Sequence, residues 1–265
     1  LLMKSRTMVL LLAVVLPSVA PAQEHRLVPK IGGLPYDSGI VGGVEYQASR
    51  IGGGAVDFRA LALGSFKKYE HLELSLGLPR LWKERLFAEA GLRYRNYPQE
   101  DFWGLGPDSR RERRSTFRLE DVDYAAAIGI RPRKWLRVGI TGGLLNVNTG
   151  PGQDRDRPSI EEAFAPEEAP GLDSQPDYWH AGSFVEVDYR DKPSDPRAGG
   201  SYRFQWDYNH DRDFGRFSFR SFDIDLQQYF PVAGGRDTIA VRSLTLLTVT
   251  RPGQEIPFFL QPTAG

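Results

Sequence analysis

The stretch YRFQWDYN, residues 202–209, decides the fold. Aromatic and polar side chains alternate through it, with Tyr202, Phe204, Trp206 and Tyr208 on one side and Arg203, Gln205, Asp207 and Asn209 on the other. Successive side chains of a β-strand point to opposite faces, so the stretch predicts a strand with one apolar and one polar face. Two further stretches alternate with a single misfit each, Phe184 in residues 179–190 and Phe87 in residues 86–95.

The alternation recurs along the chain and predicts an all-β protein. Strands are expected near residues 26–36, 40–50, 55–64, 69–78, 86–97, 115–130, 134–147, 178–190, 199–209, 217–230 and 236–250. The first of these is weak by propensity because it contains two prolines. It is included for a topological reason. An exported chain enters the barrel from the periplasm, so odd-numbered strands run outward and each strand that leads into an outer loop must have an odd number.

Two architectures produce such strands, a soluble sandwich and a membrane barrel. The predicted strands are longer than the five or six residues usual in soluble sheets, and charges of both signs occupy mid-strand positions. Connections also alternate between a short and a long set. The short ones are 79–84, 131–134, 191–198 and 231–235, and the long ones are 98–114, 149–177, 210–215 and 251 onward. These features favour an antiparallel transmembrane β-barrel.

Composition excludes several classes of function. The chain has no cysteine, which removes disulfides and thiol chemistry, and its 34 basic and 34 acidic residues leave no basic surface for nucleic acid. No enzyme is predicted, since the histidines lack metalloprotease spacing and Ser183 and His180 fall on opposite faces of one strand. The run from Asp207 to Asp213 begins like a calcium loop but lacks its glycine and glutamate. Neither a metal nor a cofactor is therefore expected.

Residues 1–22 read as a secretory signal peptide. Lys4 and Arg6 precede the apolar run from Met8 to Leu16, and a small-residue site ends at Ala22. The apolar run is too short to span a membrane as a helix, which takes about 20 residues. The expected domains are thus the signal peptide and a barrel domain over residues 23–265, located in a bacterial outer membrane.

Three short motifs carry a family resemblance. The run 101–109 (DFWGLGPDS) has an aromatic-Gly-Leu-Gly-Pro centre, the run 188–191 (DYRD) is followed by Pro196 and Gly199, and residues 256–260 read IPFFL. Together they resemble the bacterial surface antigen family, the barrel domain of BamA/TamA-type outer-membrane assembly factors. The resemblance implies sixteen strands, with a long sixth loop after the eleventh. Pro257, Phe258 and Phe259 would open that loop.

The sequence departs from this family pattern at both ends. No stretch before the first predicted strand is long enough for a POTRA domain, and the chain stops before the expected Arg-Gly motif of the sixth loop. The expectation is therefore a C-terminally truncated barrel with about 11 of 16 strands. Its sheet should be curved and open, with edges at residues 26–36 and at the strand ending near Thr250.

The candidate site is the polar wall that would face the barrel lumen. Its members are Glu186, Asp188, Arg190, Arg203, Asp207, Asp223 and Asp225. They form either a solvated, charge-balanced wall or a dock for an arginine of the sixth loop, and the sequence does not single out individual residues.

Three hypotheses of function remain open. The leading one is a factor that promotes insertion or passage of a polypeptide or lipid at the outer membrane. Its partners would be outer-membrane lipid, client outer-membrane proteins or a separate periplasmic protein. The second is a passive pore or structural barrel. The third is a surface module whose acidic loop, residues 149–177, binds an external ligand or cation.

Overall fold

A computed structural model describes residues 24–106, 109–154 and 156–262. The predicted signal peptide of residues 1–22 lies outside these ranges, as do Pro107 and Asp108 of the predicted loop motif and the terminal Gly265. None of the helices in the described ranges is both long and apolar enough to cross a membrane.

The protein forms one antiparallel sheet of eleven strands, and the order of the strands in the sheet is their order in the chain. The strands are β1 (Glu24–Ile31), β2 (Val41–Arg50), β3 (Val56–Ser65), β4 (Glu70–Arg80), β5 (Leu86–Phe102), β6 (Ser115–Arg133), β7 (Leu136–Pro151), β8 (Tyr178–Asp188), β9 (Gly199–Asp211), β10 (Phe219–Val232) and β11 (Asp237–Thr250). All eleven predicted strands are confirmed. The first ends earlier than predicted, at Ile31, and Tyr36–Ser38 is a 3-10 turn instead.

Short connections join the strands at one end of the sheet and longer ones predominate at the other. The short-loop end holds the turns α1 (Ile51–Gly54) and α2 (Leu81–Glu84) and the 3-10 turn Ala233–Gly235. The long-loop end holds residues 103–114, with the 3-10 turn Arg111–Arg113, and residues 152–177, with the helix α3 (Ile160–Ala163). The 3-10 turn Phe258–Leu260 follows β11 at this end.

The two faces of the sheet differ in the way the sequence predicts. We call the face that carries Asp207 and its cross-strand neighbours the inner face, and the opposite face the outer face. Asp207 is only 8% exposed, whereas Phe204 on the outer face is 45% exposed. Large apolar side chains line the outer face from β2 to β11, and no second sheet covers them among the described residues. The faces are thus arranged as in a barrel whose apolar side faces outward.

The sheet is open. Within the described residues β1 pairs with β2 and β11 pairs with β10, and no ladder joins β1 to β11. Every neighbouring pair is antiparallel, so the first and eleventh strands run in the same direction. Closing the sheet directly would therefore need a parallel pairing in an otherwise antiparallel barrel.

An apolar core covers the inner face at the long-loop end. It is built from aromatic and aliphatic side chains of β5, β6 and β7, together with Tyr69 of the β3–β4 connection and residues of the two long loops and of the segment after β11. Its buried members are Tyr69, Tyr97, Phe102, Phe117, Leu119, Val147, Ile160, Phe164, Ala169 and Phe258. The long loops are thereby anchored to the sheet.

Candidate functional site on the inner face

Charged side chains of neighbouring strands pair across the inner face in the first third of the sheet. Glu45 of β2 lies 2.5 Å from Lys30 of β1 and 2.6 Å from Arg59 of β3. Arg59 also bonds Glu73 of β4 at 2.9 Å, so its guanidinium lies between two carboxylates. His71 Nε2 lies 2.9 Å from Glu73. The first four strands are joined by one continuous network.

The middle of the sheet continues this pairing. Arg95 of β5 forks onto Asp121 of β6, with contacts of 2.5 to 3.1 Å. Arg93 lies 3.2 Å from Asp123, and His180 of β8 reaches the same carboxylate at 3.1 Å. To do so His180 crosses over Gly143 of β7, where a Cβ atom would lie 2.5 Å from the imidazole. The glycine is what lets the ring lie flat along the sheet.

Strands β7 to β11 carry a second run of pairs. Arg137 of β7 lies 3.5 Å from Glu186 of β8 and also bonds Glu89 of β5. Glu186 bonds Arg203 of β9 at 2.8 Å. At the edge, Arg242 of β11 donates two hydrogen bonds of 2.9 and 3.0 Å to the carboxylate of Asp225 of β10.

Charge on the inner face therefore alternates from strand to strand, an arrangement that we call the charge ladder. Odd-numbered strands contribute cations and even-numbered strands contribute carboxylates. The cations are Lys30, Arg59, Arg93, Arg137, Arg203 and Arg242, and the carboxylates are Glu45, Glu73, Asp121, Glu186 and Asp225. Among the described side chains, five carboxylates on odd-numbered strands depart from the pattern, namely Asp57, Glu89, Glu100, Asp207 and Asp211. Opposite charges on neighbouring strands favour this register over a slipped one.

The structure divides the predicted polar wall into separate groups. Glu186 and Arg203 form an ion pair, and Asp225 pairs with Arg242. Asp188 and Arg190 bond each other at 2.6 Å at the short-loop end, where Arg190 lies beyond the end of β8. Their pairing is local.

The two remaining wall residues lie further along the inner face. Asp207 accepts hydrogen bonds from Thr141 at 2.8 Å and from Gln205 at 2.7 Å, and Asp223 stands opposite Gln205 in register. Sequence reasoning missed Arg137, Glu89 and Arg242 as members of the wall. The parity of each strand places them on the inner face once its register is known.

The two phenylalanines that break the alternation of the sequence are in contact on the inner face. Phe87 of β5 and Phe184 of β8 lie in one cross-strand row with Gly129 and Gly139 between them. Their ring centroids are 6.1 Å apart, and Phe184 is 1% exposed. A Cβ atom at either glycine would lie within 3 Å of a ring. The aromatic rings thus fold over the two glycines toward each other.

Two arginines of the charge ladder cover these rings. The guanidinium of Arg137 lies 4.2 Å from the centroid of Phe87, and that of Arg203 lies 4.2 Å from the centroid of Phe184. Cation–π attraction of this kind contributes about 0.5–2 kcal/mol per contact. The two rings and two guanidinium groups form one layer on the inner face, next to the Glu186 carboxylate that both arginines contact.

The predicted start of the sixth loop is anchored to the apolar core. Phe258 packs edge-on against Phe117 and Phe102, with ring centroids 4.9 and 5.3 Å apart, and its N–H donates to the carbonyl of Pro170 at 2.9 Å. Pro257 is fully buried, and Phe259 packs edge-on against Phe258. The chain leaving β11 therefore turns back over the inner face at the long-loop end.

An ion pair joins the acidic loop to the neighbouring long loop, while Glu161 and Glu167 of the acidic loop are exposed. Arg113 forks onto Glu168 at 2.7 and 3.0 Å, and its guanidinium stacks on Phe164 at 4.2 Å. This pairing, with a backbone bond from Ala165, holds the pKa of the Glu168 carboxyl below its usual range. Ser159 and Glu162 form the capping box that their spacing indicates.

The calcium-like run has a structural explanation. The carboxylate of Asp211 accepts four backbone N–H bonds of 2.9 to 3.0 Å, from Asp213, Phe214, Arg216 and Phe217. It thereby organises the turn between β9 and β10. Across the described ranges no three His, Cys, Asp or Glu side chains come together in a metal-binding group. Ser183 lies on the outer face and His180 on the inner face, so they do not form a nucleophile and base pair.

Comparison with known proteins shows the fold. No protein-family model matches the sequence, and no curated protein is similar to it. Among solved structures, the chain is similar to BamA from Haemophilus ducreyi lacking POTRA domains 1-3, with a TM-score of 0.60 and 13% sequence identity. The match covers 92% of this chain and 44% of the BamA chain, so this chain spans less than half of that protein's length. The eleven-stranded sheet therefore has a BamA-like β-barrel fold.

Proposed function

We propose that the chain is an outer-membrane β-barrel protein of the assembly and translocation superfamily, exported by a signal peptide over residues 1–22. It promotes the insertion or passage of another polypeptide or of lipid. The observation that carries the proposal is a BamA-like antiparallel sheet whose outer face is apolar and exposed. Residues 23–265 are its barrel domain, the outer face contacts outer-membrane lipid, and the inner face lines the lumen.

The mechanism follows from the edges. An edge strand presents a row of unpaired N–H and C=O groups, and each costs several kcal/mol if it is left unsatisfied in hydrocarbon. A strand of a client protein satisfies these groups by adding to the sheet. The edge that would accept such a strand is β1, whose eight described residues include Pro29, a residue without an N–H. Hydrogen bonds form in this process, and no covalent bond is made or broken.

The alternative of a ligand-binding surface module receives little support from the loop. Glu168 is bound by Arg113, and Asp177 accepts the backbone N–H of Val147 at 3.0 Å. Asp154 lies 3.5 Å from Arg157. These three carboxylates hold the loop together, whereas Glu161 and Glu167 are exposed on its surface.

A depletion experiment separates an assembly factor from a passive barrel. Cells depleted of the protein should lose other outer-membrane barrel proteins from a quantitative census of that membrane. A parallel assay measures how fast an unfolded outer-membrane protein folds into phosphatidylcholine vesicles that contain this chain, with empty vesicles as the control. An unchanged census together with an unchanged folding rate would favour the passive barrel.

A further inference from the structure

Three connections at the short-loop end are hairpin turns of the same length. Each leaves four residues between the last paired residues of its two strands, namely 52–55, 82–85 and 233–236. The fourth residue of each turn has a right-handed backbone. Left-handed residues precede it, and glycine is the residue that adopts that backbone without steric cost.

The turn between β4 and β5 has no glycine at these positions. The other two turns place glycine there, as Gly52, Gly54, Gly234 and Gly235. Trp82, Lys83 and Glu84 take the left-handed backbone in the β4–β5 turn, with φ of 44°, 59° and 64°. In such a residue the Cβ atom lies too close to the following carbonyl oxygen, which costs free energy at each position. Three successive strained residues persist only where something offsets their cost.

The described residues offer no side-chain contact that offsets this strain. Within them the Trp82 indole and the Lys83 ammonium make no hydrogen bond, ion pair or ring contact, and Trp82 is 72% exposed. Glu84 forms an ion pair with Arg80 at 4.0 Å, and both side chains are largely exposed. The side chains of this turn are thus available for a contact outside the chain.

A second exposed tryptophan lies on the neighbouring turn. Trp135 is in the connection between β6 and β7 and is 48% exposed. The two turns are joined, because the N–H of Arg131 donates to the carbonyl of Arg85 at 2.7 Å. We call residues 80–85 and 131–135 together the twin-turn patch.

The twin-turn patch is basic. It contains six cations and only one carboxylate, Glu84. Four of the cations are exposed and form no ion pair with any described carboxylate, namely Lys83, Arg85, Arg133 and Lys134. A cluster of unpaired cations attracts anions.

The position of the patch indicates which anion it meets. Ile128 and Ile130 carry the exposed apolar outer face of β6 down to the patch, and Leu81 is also exposed there. Tryptophan is favoured where hydrocarbon meets headgroups, because its ring is apolar and its N–H is polar. Cations at that depth lie beside lipid phosphates.

We propose that the twin-turn patch binds the phosphate of an anionic phospholipid headgroup. Trp82 and Trp135 lie in the interface of the bilayer, and the four unpaired cations surround the phosphate. The left-handed turn is retained because it presents Trp82 and Lys83 to this lipid. The proposal rests on the proposed function, since a bilayer reaches these turns only if the outer face contacts lipid.

Quenching of Trp82 by brominated lipid tests the proposal. The full chain is reconstituted in phosphatidylcholine vesicles that contain a varied fraction of brominated phosphatidylglycerol or brominated phosphatidylcholine. The Trp82 signal is the fluorescence that Trp82→Phe removes. Its relative binding constant should favour phosphatidylglycerol about tenfold, which corresponds to about 1.4 kcal/mol. Equal quenching by the two lipids would overturn the proposal.

Paired substitutions separate the patch from overall charge. Lys83→Gln together with Lys134→Gln should remove most of the preference for phosphatidylglycerol. Lys192→Gln together with Arg236→Gln makes the same change in net charge on other exposed turns at this end and should leave the preference intact. An equal loss in both pairs would overturn the assignment to the twin-turn patch.

Substitution by glycine separates lipid binding from a structural role. Lys83→Gly and Glu84→Gly should each raise the urea concentration at which the chain unfolds, because each relieves a strained residue. Only Lys83→Gly should weaken the preference for phosphatidylglycerol. An unchanged preference in Lys83→Gly, or lower stability in both variants, would overturn the proposal.

Trp206 keeps a failure of this proposal apart from a failure of the proposed function. It lies on the outer face in the middle of β9, so both brominated lipids should quench the fluorescence that Trp206→Phe removes. Quenching of Trp206 without quenching of Trp82 would overturn lipid binding by the patch alone. Quenching of neither would overturn the membrane location and the proposed function with it.

Discussion

At the scale of single residues, glycines make room for large inner-face side chains. Asp207 crosses over Gly182 to reach Thr141, and a Cβ atom at position 182 would lie 2.2 Å from the Asp207 carboxylate. Phe184 lies over Gly139 in the same way. Each glycine lets a side chain of one strand lie flat over the next, so that contacts extend across two strands.

We expect Gly139→Ala to destabilise the sheet. The new methyl group would lie 2.8 Å from the Phe184 ring and 2.9 Å from the Ile128 carbonyl, and such overpacking costs about 1–3 kcal/mol. Gly142→Ala is the control, because its nearest contact is 3.6 Å. Urea unfolding in vesicles measures both. Adding Phe184→Ala should recover part of the loss at position 139, and equal losses at the two glycines would contradict the ring-over-glycine contact.

A second residue-scale prediction concerns the two faces of β9. Phe204→Arg places a charge on the outer face and should cost roughly 2–4 kcal/mol if the position is near the bilayer midplane. Gln205→Arg places the same group on the inner face and should be mild. Folding free energies from refolding titrations in lipid compare the two. Equal tolerance would show that the outer face does not contact lipid.

Side-chain parity could be predicted from the sequence, but contacts between distant strands could not. The alternation assigns Phe204 and Asp207 to opposite faces without any structure. Phe87 and Phe184 stand out only as breaks in the pattern, because nothing local shows that Gly129 and Gly139 separate them in one row. Their meeting depends on the register of three strand pairs.

At the scale of elements, prolines decide where strand prediction fails. The sequence predicts that β5 ends at Tyr97 and β6 at Ile130, since Pro98 and Pro132 lack the N–H that a strand ladder needs. In the structure both ladders shift register there and then resume, so that β5 continues to Phe102 and β6 to Arg133. Each proline lies at a β-bulge, where its missing N–H does not interrupt the ladder. Bulges cannot be predicted reliably from a single sequence.

The ion pair between Arg113 and Glu168 in the acidic loop should break at low pH. The pKa of Glu168 is lowered in the folded chain, so the pairing with Arg113 is fully present above the ordinary pKa of a glutamate. It is lost as the pH falls through the lowered value. A spin label attached to Glu167→Cys should become more mobile in acid, and Glu168→Gln should abolish this dependence. A mobility that responds to pH equally in Glu168→Gln would exclude the ion pair as its cause.

The two ends of the strands should lie on opposite sides of the membrane. Glu167 in the long loop and Asp195 in the connection between β8 and β9 are both exposed. In intact cells an impermeant thiol reagent should label Glu167→Cys and spare Asp195→Cys, because long loops face outward and short turns face the periplasm. Permeabilised cells should show both labels. The opposite pattern in intact cells would invert the topology.

At the scale of the whole molecule, strand number and charge act together. Eleven is odd, so β1 and β11 run in the same direction and both carry cations on the inner face. The sequence predicts the number of strands and the open edges through the family resemblance and the parity of an exported chain. The charge ladder is not visible at that stage, since it appears only when the register aligns residues such as Arg203 and Glu186.

Heat-modifiable migration in SDS gels tests the open sheet most directly. A closed barrel satisfies all its backbone groups and resists SDS until it is heated, whereas open edges leave groups for detergent and water to attack. The chain refolded in detergent should migrate at one position with or without heating. A compact, SDS-resistant band that heating converts to the slower form would mean that β1 and β11 pair, and would contradict the open eleven-stranded sheet.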